Sequence, residues 1–227
     1  MAATATAAAR TKRQQRGVKI TLLVSVSFIV VVLAGFINKI TTPRLLNSME
    51  MRANGAFVFD QPRIFNDFTL TDHHGQPFSL AQLQGKWTLM FFGFTHCPDV
   101  CPTTMATLNH WVAALEPEVL ADTQVVLVSV DPARDTVTKL SEYVPYFNPD
   151  FVGLTGDFIE IKRLANQLNI AFAKVVTDTE RGDYSVDHSA NIALINPRGH
   201  YHGFFKPPLD IARLKLTYLS MRTNYRG

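Results

Sequence analysis

The chain has 227 residues, enough for one well-buried domain and an appendage, and with 47% hydrophobic and 18% charged residues it excludes a disordered protein. The net charge of +3 belongs to one end. Positions 1–40 hold six basic and no acidic residues, which leaves 16 basic against 19 acidic residues in the rest and excludes nucleic acid as a partner of that part.

Residues 1–19 carry Arg10, Lys12, Arg13, Arg16 and Lys19 and read as a cytoplasmic basic flank. Ile20–Ile37 follows as 18 residues without a charge. That is about the minimum needed to span a hydrocarbon core of roughly 30 Å at about 1.5 Å per residue. The excess of positive charge before it sends the remainder of the chain across the membrane. A secretory signal would have a shorter apolar run and an A-x-A-like cleavage site. Leu33-Ala34-Gly35 resembles a lipoprotein box, but Phe36 stands where the lipidated cysteine would be. A retained transmembrane helix is therefore expected over residues 20–37. Residues 38–60, with Pro43, Asn54 and Gly55 as breakers, read as a linker, and 61–227 as one folded domain.

Within that domain, Asp67–Gly75 predicts a short strand turning at His74-Gly75, with Phe78–Leu80 continuing it. Trp87–Phe94 is a continuous apolar run, the pattern of a strand covered on both faces. Met105, Leu108, Val112 and Leu115 are spaced for a helix over 102–115, which Pro117 ends. Gln124–Val130 predicts a second buried strand. Asp135-Thr136 is expected to cap a helix reaching about Tyr146, and Asp157 to cap one over 158–168. Ala171–Val176 reads as a strand, Asn191–Ile195 and His200–Phe205 as a hairpin turning at Asn196–Gly199, and Pro208 opens a last helix to about Met221. This order predicts an α/β fold with a mixed sheet flanked by helices.

The two cysteines, Cys97 and Cys101, lie in the segment Phe94-Thr-His-Cys-Pro-Asp-Val-Cys-Pro102, where a buried strand hands over to a helix. A disulfide here would close too small a loop to restrain the unfolded chain much, so the pair points to chemistry. The free N–H groups of a helix start favour thiolates as ligands or nucleophiles. The spacing is C-x-x-x-C and not the C-x-x-C of redox thioredoxins. On a helix such a pair sits with Cβ atoms about 5–6 Å apart, against about 3.5–4.5 Å in a relaxed disulfide, which suits a bridging ion better than a bond. Thiolates select Cu(I) or Zn, and structural zinc would ask for four protein ligands. A peroxidase is disfavoured, since neither cysteine is preceded by the P-x-x-x-[ST]-x-x spacing.

Seven histidines compete for the place of a third ligand. His73 and His74 fall in a polar turn and read as solvated. His96 adjoins Cys97 and is expected to point away from it, His110 lies on a helix face, and His200 and His202 read as surface residues of a hairpin strand. His188, in Val186-Asp-His-Ser189 just before the strand Asn191–Ile195, is a candidate on position, with Asp187 as a possible orienting partner. Position alone does not select it.

Three segments together carry a resemblance. Phe92-Gly-Phe-Thr-His-Cys97-Pro-Asp-Val-Cys101-Pro, Val130-Asp-Pro-Ala-Arg-Asp-Thr136 and Val186-Asp-His188-Ser resemble the Sco/SenC family of cytochrome oxidase assembly proteins, over about Asp67 to Thr217. The resemblance implies a thioredoxin-like fold and binding of copper, as Cu(I) or Cu(II), by Cys97, Cys101 and His188. It implies a role in maturing the dinuclear copper centre of cytochrome c oxidase subunit II, with that subunit and an upstream copper donor as partners. Asp131 and Asp135 match the family's second motif and are expected to shape a loop near the site. Two mechanisms stay open: a copper chaperone, or a thiol–disulfide oxidoreductase working through Cys97 and Cys101. A binding module with a vestigial disulfide is the third possibility. The closeness of the anchor to the N-terminus favours a bacterial inner membrane, with the domain in the periplasm, over a mitochondrial one.

Overall fold

The computed structural model describes residues 2–41, 45–178 and 183–225, with side chains of the first helix described from Gly17 to Ile40. The chain divides into two units, residues 1–44 and residues 45–227. The first is a single helix, α1 (Ala2–Thr41). Its segment Gly17–Ile40 is long and apolar enough to cross a membrane, extending the expected span by three residues at each end. Leu22, Val26, Phe28, Val31 and Phe36 on it are all exposed within its own unit, as lipid-facing residues would be. Pro43, expected as a breaker, lies outside the described residues.

The second unit starts earlier than the sequence suggests. Asn47 caps α2 (Ser48–Ala53) with a reciprocal capping box to Glu50, and Leu46 and Met51 are buried. Gly55, at φ +80°, then turns the chain into β1 (Ala56–Arg63). Part of the 38–60 segment, expected as linker, thus belongs to the sheet.

Strand β2 (Leu70–Asp72) turns at Gly75 into β3 (Pro77–Phe78), as read from sequence. The apolar run forms β4 (Trp87–Gly93), every residue of which is buried. After the cysteine segment come α3 (Val100–Ala113) and a short α4 (Pro117–Leu120), which Pro117 begins. Then follow β5 (Thr123–Ser129), α5 (Val137–Phe147), β6 (Val152–Thr155) and α6 (Phe158–Gln167). The hairpin β7 (Phe172–Asp178) and β8 (Asp183–His188) precedes β9 (Ile192–Ile195), β10 (Tyr201–Phe205) and α7 (Ile211–Asn224).

Eight strands form one mixed sheet in the order β1-β10-β9-β4-β5-β6-β2-β3, while β7 and β8 make a separate two-stranded ribbon. Strands β4, β5 and β6 are parallel, and β9 runs antiparallel to β4. This is the mixed α/β sheet flanked by helices expected from the element order, and the thioredoxin-like fold that the resemblance implies. Helices complete the burial: Trp111 of α3 meets Tyr218 of α7 edge-on at 5.0 Å, and Leu140 and Val144 of α5 are fully buried.

Register decides what lies near what. Gly93 pairs with Ser129, so the parallel strands β4 and β5 end at the same edge and release the cysteine segment and residues 130–136 side by side. Ile192 pairs with Phe91 in the antiparallel ladder, so the chain entering β9 arrives from that same edge. The three sequence segments therefore converge at the carboxyl end of the parallel strands, where ligand sites of open α/β sheets are found.

Candidate metal centre

Cys97, Cys101 and His188 converge, each offering a donor atom, and the three atoms lie within 4.8 Å of one another. Among the described residues this is the one His/Cys/Asp/Glu group so disposed. Both thiols are free. The two cysteines do not share a helix face, as their spacing had suggested. Cys97 precedes α3, and Cys101 sits in its first turn.

Asp99 stands at the N-cap of α3 but its side chain makes no capping hydrogen bond. Cys97 sulfur lies at that end instead and accepts from the Cys101 N–H at 3.4 Å. A helix start directed at this sulfur suits an anionic or metal-bound thiolate. Cys97 is half-buried, whereas Cys101 is fully buried, and burial pushes the Cys101 thiol far above the ordinary range. A metal ion that displaces the proton would supply the charge compensation which the apolar surroundings lack.

His188 ends β8 and stands edge-on to both Phe91 and Phe94, each ring centroid 5.9 Å away. Its Nδ1 lies 3.2 Å from the Ser189 carbonyl oxygen, which can only accept, so Nδ1 carries the hydrogen. That leaves the Nε2 lone pair facing Cys101 Sγ at 3.4 Å, the tautomer a metal ligand requires. Burial lowers the His188 pKa, which keeps the ring neutral. Asp187, expected as the orienting group, is exposed and acts on the ring only through its charge; the Ser189 carbonyl does the orienting.

The segment Val130–Thr136 braces this centre from the side. Asp135 is fully buried and accepts from the Thr95 N–H at 3.0 Å, from Thr95 Oγ1 at 2.6 Å and from Ser129 Oγ at 2.6 Å. It thereby ties the turn before Cys97 to the end of β5. The helix cap expected of the pair Asp135-Thr136 falls to Thr136, whose hydroxyl accepts from Lys139 N–H. Asp131 accepts from Arg134 Nε and, at 2.9 Å, from the Tyr184 hydroxyl. Arg134 also donates to the Tyr184 carbonyl at 3.2 Å and lies 3.9 Å over its ring, so the β8 strand ending in His188 is fastened to the same segment. Tyr184 gave no signal in the sequence, because its role depends on a contact 53 residues away.

The other histidines divide differently from expectation. His96 is exposed, 3.1 Å from Thr95 Oγ1, and so is His110. His73, expected to be solvated, is only 3% exposed and accepts the Gly153 N–H on Nδ1 at 3.1 Å. His202, expected at the surface, is 6% exposed.

Two sulfurs and one imidazole make a soft to borderline donor set, which fits copper and falls one protein ligand short of structural zinc. Comparison with known proteins points the same way. The SCO1/SenC family profile matches residues 59–217. A putative copper-binding protein of Stutzerimonas stutzeri is 38% identical over 180 residues, covering 79% of this chain and 87% of that protein. The mitochondrial protein SCO2 of Saccharomyces cerevisiae is 35% identical over 158 residues, or 70% of this chain and 52% of its own length. The crystal structure of Arabidopsis thaliana ScoI with copper bound superposes with a TM-score of 0.65 at 35% identity, covering 70% of this chain and 98% of that one.

Proposed function

The chain belongs to the SCO1/SenC family, and from that premise we propose that it is a membrane-anchored copper chaperone whose metal ligands are Cys97 Sγ, Cys101 Sγ and His188 Nε2. The convergence of these three donor atoms within 4.8 Å carries the proposal. In this reading copper is cargo. The site has three protein ligands and a half-buried cysteine at its rim, so an incoming thiolate from a partner can enter the coordination sphere and take the ion by ligand exchange. The family role points to cytochrome c oxidase assembly. The recipient is the dinuclear copper centre of subunit II, and an upstream copper protein is the donor.

Residues 20–37 serve as the retained anchor, with the basic flank 1–19 in the cytoplasm and the folded unit in the periplasm of a bacterial inner membrane. The same pair of thiols supports a second reading, reduction of subunit II. Cys97, the more accessible, would attack a disulfide of the partner and release one partner thiolate. Cys101 would then displace the second, leaving a Cys97–Cys101 disulfide as two electrons pass to the partner. The two sulfurs lie within 4.8 Å of each other, close enough for that disulfide to form with a local shift.

Titration of the full-length chain in detergent with Cu(II) and Cu(I), with and without His188→Ala, separates these readings. The chaperone predicts a Cu(II)–thiolate absorption band in the parent chain, and a loss of affinity of about tenfold or more in the variant. Equal stoichiometry and affinity in both would remove His188 from the site. Copper-independent rescue of oxidase assembly by His188→Ala would favour the reductant.

A further inference from the structure

A cavity lies on the part of the sheet that carries β1 and β10, away from the cysteine centre. It measures ≈ 360 Å³, and Met51 of α2, Asp60 of β1, His202 of β10, Met221 of α7 and Tyr225 are in its wall. The lining is unusual in its donors. Met51 and Met221 are 4% and 1% exposed, and His202 is 6% exposed. Among the described residues, neither the buried His202 Nδ1 nor the buried Tyr225 hydroxyl has a hydrogen-bond partner. Trp87 stands edge-on to His202 at 5.2 Å and to Tyr225 at 5.1 Å, and the His202 and Tyr225 rings meet edge-on at 5.4 Å. The imidazole plane is therefore fixed while the described residues leave one of its nitrogens unbonded.

We propose that this cavity is a second, soft-metal site that takes monovalent copper through the His202 imidazole and the thioethers of Met51 and Met221. Thioether and imidazole donors prefer Cu(I) to hard cations such as Mg²⁺ or Ca²⁺. Burial alone depresses the His202 pKa to about 4, so the ring is neutral and a lone pair is available at neutral pH. Unlike a thiolate pair, these donors lose no proton on binding and cannot be closed off as a disulfide, so the site stays competent when Cys97 and Cys101 are oxidised. The proposal does not rest on the cysteine centre. Water in the cavity would satisfy the same two polar atoms, but it would not distinguish a methionine sulfur from the isosteric leucine methyl.

The test uses the full-length chain in detergent with Cys97→Ser, Cys101→Ser and His188→Ala together, titrated anaerobically with Cu(I) against a competing chelator. The site predicts that this chain still retains a single equivalent of Cu(I), with nitrogen and thioether sulfur around copper by X-ray absorption and quenched Trp87 fluorescence. Adding Met51→Leu and Met221→Leu, which conserve volume and preserve the fold, should lower the affinity by about tenfold or more. Adding His202→Leu should abolish binding. No Cu(I) retained by the cysteine-free chain, or retention unchanged by the Met→Leu and His202→Leu substitutions, would overturn the proposal.

Discussion

Within the segment Asp131–Thr136, holding a helix and holding a loop fall to neighbouring residues. Thr136 satisfies the start of α5, which frees Asp135 to collect three donors from Thr95 and Ser129 in a fully buried position. Asparagine has the same shape but one acceptor oxygen and an NH₂ group that would face donors. Asp135→Asn should therefore cost about 1–3 kcal/mol in urea unfolding and weaken copper binding, although it touches no proposed ligand. Undiminished stability and affinity would show that the turn before Cys97 holds itself. The sequence displayed this aspartate as a cap because local spacing cannot tell a cap from an anchor 40 residues away. His202 was hidden for a related reason, since its burial depends on α2 and α7 closing over β10. It also sets a pH dependence. Burial holds the folded pKa at about 4 against 6.5 in the unfolded chain, so between these values only the unfolded chain takes the proton. Stability of the metal-free chain should fall as pH drops from about 6.5 and level off near 4, with up to about 3 kcal/mol from this ring. His73 adds to the fall, because burial chiefly, then His74, lower its pKa against the opposing charge of Asp72. Urea midpoints at neutral and acid pH, in the parent chain and in His202→Leu, check this. Equal acid sensitivity in the two would contradict it.

At the scale of elements, the centre depends on how closely β4 and α3 approach. A Cβ built on Gly93 would lie 2.8 Å from Phe91 Cε1 and 3.0 Å from Cys101 Sγ. Gly93→Ala must therefore displace the sulfur or the ring. We expect a cost of about 1–3 kcal/mol in stability and a copper affinity reduced about tenfold, read by denaturation and chelator competition. Unaltered copper affinity would mean that α3 shifts as a body without disturbing the site. The long apolar strands β4 and β5 were legible because complete burial leaves a continuous apolar run, and the capped helices because caps are local. Strand β1 was not. It is an edge strand containing Asp60 and Pro62, residues an edge tolerates, and its pairing with β10 is fixed by a partner far along the chain. Strand β8 alternates polar residues and, among the described residues, pairs only with β7, off the main sheet, so its sequence carries no signature of a core strand.

For the whole molecule, the topology explains why three distant segments make one site: two parallel strands and one antiparallel neighbour open at the same edge of the sheet. The cysteine pair could be read from its place between a buried strand and a helix. His188 could not be read from position alone, because the ladder register that carries β9 back to that edge is a tertiary fact; the family resemblance supplied it. An N-terminal apolar segment long enough to cross a membrane is legible from hydropathy alone, and α1 provides a helix of the required length. The central claim is the copper ligand set. X-ray absorption at the copper edge, on the full-length chain loaded with one equivalent of Cu(I), tests it most directly. The account predicts an inner shell of two thiolate sulfurs and one imidazole nitrogen, with the nitrogen scattering lost in His188→Ala. A shell of sulfur alone in the parent chain, or one unchanged by that substitution, would contradict it.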